Sequence, residues 1–144
     1  MADQNFSNHT RLVPLYHFVL FIAILALIAG SVNNLITALD TGEGLYNASL
    51  ICLIGFIVLL LAWFTRGFAL KAQDRAIRAE EQLRYFAITG KLPDPKLKMS
   101  QFIALRFASN NEFVDLAHRA VEENLSAKQI KQAIQHWKAD YNRV

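Results

Sequence analysis

The chain has 144 residues, of which 53% are hydrophobic and 19% charged, and its formal net charge is +3. Soluble domains hold about 45–50% apolar and about 25% charged residues, whereas here two segments, 12–39 and 45–65, contain no Asp, Glu, Lys or Arg. Since about 20 apolar helical residues cross a bilayer, these segments exclude an ordinary soluble domain, and the single cysteine, Cys52, excludes an internal disulfide framework.

The two apolar segments predict an all-α fold, a two-span transmembrane helical hairpin whose second span extends into the cytoplasm and is followed by a small three-helix module. The turn from Asp40 to Gly44 contains two glycines and suits a tight reversal, so the spans are expected to be antiparallel neighbours. The predicted order is a head at 1–11, transmembrane helices at 12–39 and 46–66 joined by an external turn at 40–45, a cytoplasmic helical extension at 67–90, a linker at 91–99 and the module at 100–144.

Basic residues predict the orientation of the hairpin. Arg11 precedes the first span, Arg66 and Lys71 follow the second, and the turn between the spans has no base. Because cytoplasmic loops carry an excess of Lys and Arg, we expect a multi-pass protein of the plasma membrane with both termini in the cytoplasm.

Both spans carry a stripe of mostly small residues with the 3,4 spacing of one helix face, which favours close helix packing in lipid. The stripes either face each other within the hairpin, or one of them binds a second subunit. The predicted helix-packing stripe comprises Ala23, Ala26, Gly30, Asn33 and Thr37 in the first span and Ala48, Cys52, Gly55 and Ala62 in the second.

The second helix is predicted to continue from Tyr46 to Thr89, where Gly90 and Pro93 end it. Its extension repeats the 3,4 spacing of a coiled-coil seam. This seam is expected to contact either the chain's own module, with Phe102 and Phe107 against Ala76 and Leu83, or the same helix of a second chain. The possible subunit seam comprises Ala69, Ala72, Ala76, Ala79, Leu83 and Phe86.

Three helix starts are predicted in the module. Ser100 is the expected cap of the first helix, while Ser109 with Glu112 and Ser126 with Gln129 form capping boxes for the second and third. The third helix is predicted to place Ile130, Ala133, Ile134, Trp137 and Tyr141 on one face, with Trp137 buried among Phe113, Leu116 and Ile134.

No pattern predicts catalytic chemistry. The four histidines lack zinc-ligand spacing, and there is no phosphate-binding loop, so no catalytic residue, metal, cofactor or small-molecule substrate is expected. Bases and acids alternate in the module, which argues against nucleic acid as a partner. His17 has a possible polar role inside the membrane, and the alternative is placement beside Tyr16 at the membrane interface.

The segment 4–11, Pro14, His17-Phe18 and the stretches 103–109 and 130–140 resemble a family of small, uncharacterised, two-span bacterial inner-membrane proteins. The resemblance implies the same architecture and setting but no activity. We therefore expect a non-catalytic membrane protein for interaction or assembly, an accessory subunit or scaffold. Its partners would be membrane lipid and either another protein or a second copy. The alternative is a self-assembling small channel or transport component.

Overall fold

The structure, a computed structural model, describes residues 4–9 and 12–140. These residues form helices and one isolated β-bridge but no strand, which confirms the all-α class. Two long apolar helices come first and three short helices follow. They are α1 (Phe21–Thr41, preceded by a π-helical segment at Leu15–Leu20), α2 (Leu45–Thr89), α3 (Met99–Leu105), α4 (Asn110–Glu122) and α5 (Ala127–Ala133).

The chain divides into two compact units. The first in chain order, Leu12–Ala69, is a helical hairpin. Gly42 ends α1 in the left-handed conformation, with φ of 78°, and its N–H donates to the carbonyl of Ala38 at 2.9 Å. Glycine adopts this conformation without the steric cost of a Cβ, and so permits the reversal into α2 that the sequence predicts.

Most of the apolar surface of the hairpin is not covered by protein. Only 11% of the most apolar part of Leu15–Thr41 and 17% of that of Leu45–Thr89 is buried. A helix in the core of a soluble domain would be largely buried. Both helices are long and apolar enough to cross a membrane.

The five residues of the predicted stripe in the first span are exposed, so the two stripes do not face each other within the hairpin, and binding of the first stripe to a second subunit stays a prediction. The face of α1 that is buried in the hairpin instead carries Ile24, Ser31 and Ala38. On α2 the prediction agrees with the structure, since Ala48, Cys52 and Gly55 are buried and Ala62 is half-buried.

The contact around Gly55 shows which side of α1 faces α2. A Cβ added at Gly55 would lie 3.3 Å from Cγ1 of Ile28 and 3.6 Å from Oγ of Ser31. The absence of a side chain at Gly55 therefore lets Ile28 and Ser31 of α1 approach α2 closely.

The second unit joins residues 4–9 to 70–140. Its core is apolar and comes mainly from α3, α4 and the segments that connect them. The largest fully buried apolar side chains are Phe102, Leu105, Phe107, Phe113 and Ile130. Gln101 is also buried, and its side-chain amide donates to the carbonyls of Ala120 at 2.7 Å and Leu125 at 2.9 Å, so its burial leaves no donor unsatisfied.

Two helix boundaries of the module correct the sequence prediction. Lys98, not Ser100, is the N-cap of α3, because Oε1 of Gln101 accepts from the N–H of Lys98 at 2.8 Å. Helix α5 ends at Ala133, and Ile134 is extended, so the predicted helical face through Trp137 does not form. Tyr141 lies outside the described residues.

Candidate functional site

One face of α2 attaches this helix to the module. Ile77, Glu81 and Tyr85 recur at every fourth residue and are buried. The hydroxyl of Tyr85 lies 3.0 Å from Nε2 of His118, and its ring makes an edge contact with Phe113. This face is thus fixed by both apolar and polar contacts.

Arg84 connects the same face to the start of α4. Its guanidinium donates to Glu81 at 3.0 Å, to the carbonyl of Ala108 at 2.7 Å and to Oδ1 of Asn110 at 2.9 Å. It also lies 4.2 Å from the ring centroid of Phe113. A buried carboxylate is stable only when it is paired, and Arg84 provides that pairing for Glu81.

The opposite face of α2 is exposed. We define the exposed α2 face as Ala72, Ala76, Ala79, Leu83 and Phe86. Leu83 is 69% exposed and Phe86 is 50% exposed. The expected packing of the module against Ala76 and Leu83 is therefore wrong. Phe102 instead lies under the guanidinium of Arg78, whose central carbon is 5.6 Å from the centroid of the Phe102 ring. Ala69, the first residue of the predicted seam, is half-buried.

Residues 4–9 of the head pack against the module. His9 lies 5.6 Å from Phe107 and 5.8 Å from Trp137 between ring centroids, and these two rings are themselves 5.0 Å apart. Trp137 is half-buried rather than buried, and it packs against the core that contains Phe113, Leu116 and Ile134. The head thus contributes a ring to the aromatic cluster of the module.

Both ring nitrogens of His9 lie within hydrogen-bond distance of a partner. Its Nδ1 lies 2.8 Å from the carbonyl of Phe6, and its Nε2 lies 3.0 Å from Nζ of Lys131. A carbonyl only accepts and an ammonium only donates, so these two contacts fit the tautomer that carries its proton on Nδ1. A second contact lies nearby, where the N–H of Asp140 donates to the side-chain oxygen of Gln4 at 2.7 Å.

Glu112 holds the segment that follows α5. One carboxylate oxygen accepts from the N–H of Gln135 at 2.9 Å, and the other accepts from the N–H of His136 at 3.0 Å and from Ser109. Partial burial raises the pKa of Glu112, but the combined hydrogen bonds outweigh this and hold the pKa below its usual value. Glu112 of the predicted capping box therefore also binds the backbone after α5. Because the N–H groups of Gln135 and His136 donate to this carboxylate, they do not continue the helix, which ends at Ala133.

His17 lies outside this module. Its Nδ1 is 2.9 Å from the carbonyl of Val13 and 3.0 Å from the N–H of the same residue, and its ring packs edge-on against Tyr16. The hydroxyl of Tyr16 donates to the carbonyl of Ala62 at 2.5 Å. The possible polar role of His17 inside the membrane stays a prediction.

Sequence reasoning missed the docking of the head, and one signal could have found it. The segments that carry the family resemblance, 4–11, 103–109 and 130–140, include the residues that meet here, His9, Phe107, Lys131 and Trp137.

In the described ranges, no group of three His, Cys, Asp or Glu side chains is placed to hold a metal ion.

Among the comparisons with known proteins, one agrees that the chain belongs to an uncharacterised family. No curated protein and no solved structure matches the chain. A family model does match, and it covers residues 1–144. The chain belongs to this family, the family of unknown function DUF6526.

Proposed function

We propose that the protein is a non-catalytic integral membrane protein that presents its helical module in the bacterial cytoplasm as an assembly or accessory subunit. The observation that carries this proposal is the exposed α2 face, opposite the face that the module covers. Contiguous exposed apolar surface outside a membrane is typical of a binding surface for protein. Leu83 and Phe86 supply large side chains for such a contact.

Two observations support an inner-membrane hairpin with both termini in the cytoplasm. Bases flank the hairpin at Arg11 and Arg66 but are absent from the turn between the spans. In addition, His9 and Gln4 contact residues of the module. Because the head and the module are in contact, both must be on the same side of the membrane. A hairpin with two spans between them satisfies this condition.

Labelling of introduced cysteines tests this topology. In Cys52→Ser protein, Glu43→Cys should react with a membrane-impermeant maleimide in bacterial spheroplasts. Gln132→Cys, on exposed residue 132 of α5, should react only after lysis. Reaction of Gln132→Cys in intact spheroplasts would contradict the proposed orientation.

The binding role is tested by charge on the exposed α2 face. The double variant Leu83→Glu/Phe86→Glu should lose any assembly larger than one chain in mild detergent, measured as native mass by light scattering. Leu92→Glu is the matched control, since Leu92 is 72% exposed but lies beyond α2. Equal assembly by all three proteins would contradict the proposal, and ion flux through proteoliposomes above that of empty vesicles would favour a channel.

A further inference from the structure

We infer that the exposed α2 face binds the same face of a second copy of this chain, with the two α2 helices parallel. This inference rests on the proposed function, because two hairpins inserted alike in one membrane direct their α2 helices the same way. It adds the identity of the partner and the register of the contact.

Heptad positions assign the two faces of α2 to different tasks. With Ala76 at position a, Ala72, Ala79 and Phe86 occupy d and Leu83 occupies a. The residues that attach α2 to its own module, Ile77, Glu81, Arg84 and Tyr85, then fall at b, c and f. These are the outer positions of a coiled coil. The module therefore covers the outer side of α2 and leaves the a and d positions of the exposed α2 face open.

Charge complementarity selects a second copy as the occupant. In a parallel pair, each g residue meets the e residue five positions later on the other helix. Here g is Arg75 and e is Glu80, so a symmetric dimer forms two Arg75–Glu80 pairs between the copies. Both side chains are exposed, and neither belongs to the three ion pairs found within the described residues.

The neighbouring flanking positions agree with this register. The next g–e pair toward the end of α2 joins Gln82 to Ala87, and the preceding one joins Phe68 to Gln73, so neither opposes like charges. Alanine at three of the five seam positions allows close approach but buries little area for each residue. Confinement of both copies to one membrane raises their effective concentration and compensates for a weak seam.

Disulfide cross-linking in membranes of expressing cells measures the pairing directly. In Cys52→Ser protein, Ala79→Cys should cross-link between chains under mild oxidation, because a disulfide requires Cα atoms about 4.4–6.8 Å apart. Lys71→Cys is the control, since Lys71 is exposed but lies at the outer position c. Equal cross-linking at residues 71 and 79 would overturn the inference.

Charge reversal then tests the register. Arg75→Glu or Glu80→Arg, each in the Ala79→Cys background, should lower the cross-linked yield about tenfold, because each replaces two attractions with two repulsions. Co-expression of the two singly reversed chains with different tags should restore cross-linking, and only between unlike chains. The chain with both reversals should pair with itself again.

The outcomes separate this inference from the proposed function. Random pairing of the tagged chains, or yields unaffected by charge, would overturn the parallel register. A cross-linked product heavier by something other than a second copy would overturn the identity of the partner but leave the binding role intact. Failure of the topology experiment would instead overturn the proposed function.

Discussion

Arg84 shows what helical spacing predicts for a single side chain and what it leaves open. The spacing of Glu80 and Arg84 suits an ion pair on the surface of the helix. In the structure Arg84 pairs with Glu81 instead, at 3.0 Å. The reason is tertiary, because Glu81 is buried against the module, where an unpaired carboxylate is costly. Glu80 is thereby left at the solvent-exposed edge of the seam.

Glu112 provides a pH prediction at the same scale. Because its pKa is lower in the folded protein than the ordinary value of 4.5, the unfolded chain binds its proton more readily. Its stabilisation is therefore fully present above about pH 4.5 and is lost as the pH falls through the folded pKa. Glu112→Gln should lower the free energy of unfolding by about 1–2 kcal/mol at pH 7, and by progressively less in acid.

Fluorescence can measure this difference in the full-length protein in detergent. The chain has two tryptophans, so Trp63→Phe leaves Trp137, close to the clamped segment, as the probe of denaturant unfolding. The Trp63→Phe protein with Glu112 intact is the reference. A Gln variant that is equally destabilised at every pH would show that the carboxylate charge is not responsible.

At the scale of elements, sequence patterns predicted the features that depend on neighbouring residues, namely the long helices and the starts of two short ones. The two long segments without charged residues predicted both long helices. The S-x-x-E box at Ser109 and the S-x-x-Q box at Ser126 predicted the starts of α4 and α5. The side of α1 that packs against α2 could not be predicted from such a pattern. The small-residue stripe is a real feature of its sequence, but packing depends on which side chains fit over α2, and Ile28 fits over Gly55.

A pair of glycines tests this packing. Gly55→Leu should destabilise the hairpin by about 1–3 kcal/mol, because the new side chain meets Ile28 and Ser31. Gly30→Leu, the matched substitution on the predicted stripe, should not, since a Cβ there has nothing within 4 Å. Thermal unfolding in detergent, followed by circular dichroism, measures both, and greater damage from Gly30→Leu would restore the predicted stripe as the packing face.

At the scale of the whole molecule, no local sequence pattern predicted the contact of the head with the module. Gln4 and Asp140 are separated by 136 positions in the chain. The segment 4–9 has no helical or strand period that would show an apolar face. Its docking depends on single side chains, His9 and Gln4, and the fold that brings their partners together cannot be read from a local pattern.

Removal of the His9 ring should loosen this docking. His9→Ala loses the ring contacts with Phe107 and Trp137 and the bond from Lys131. Since an aromatic pair contributes about 0.5–1.5 kcal/mol to stability, the substitution should lower the free energy of unfolding by about 1–2 kcal/mol. The emission of Trp137, recorded in Trp63→Phe protein, should shift to longer wavelength. His136→Ala is the control, because that side chain is exposed; identical spectra for the two variants would argue against docking of His9.

The docking of the head also sets an order of events during biosynthesis. His9 leaves the ribosome early, whereas Phe107, Lys131 and Trp137 emerge only after both apolar helices have been translated. In the proposed membrane topology, the head therefore makes none of these contacts until the hairpin has been inserted. A chain that inserted only one of its spans would hold the head and the module in different compartments and could never close. In that topology, contact between the head and the module would form only in chains that have inserted both spans.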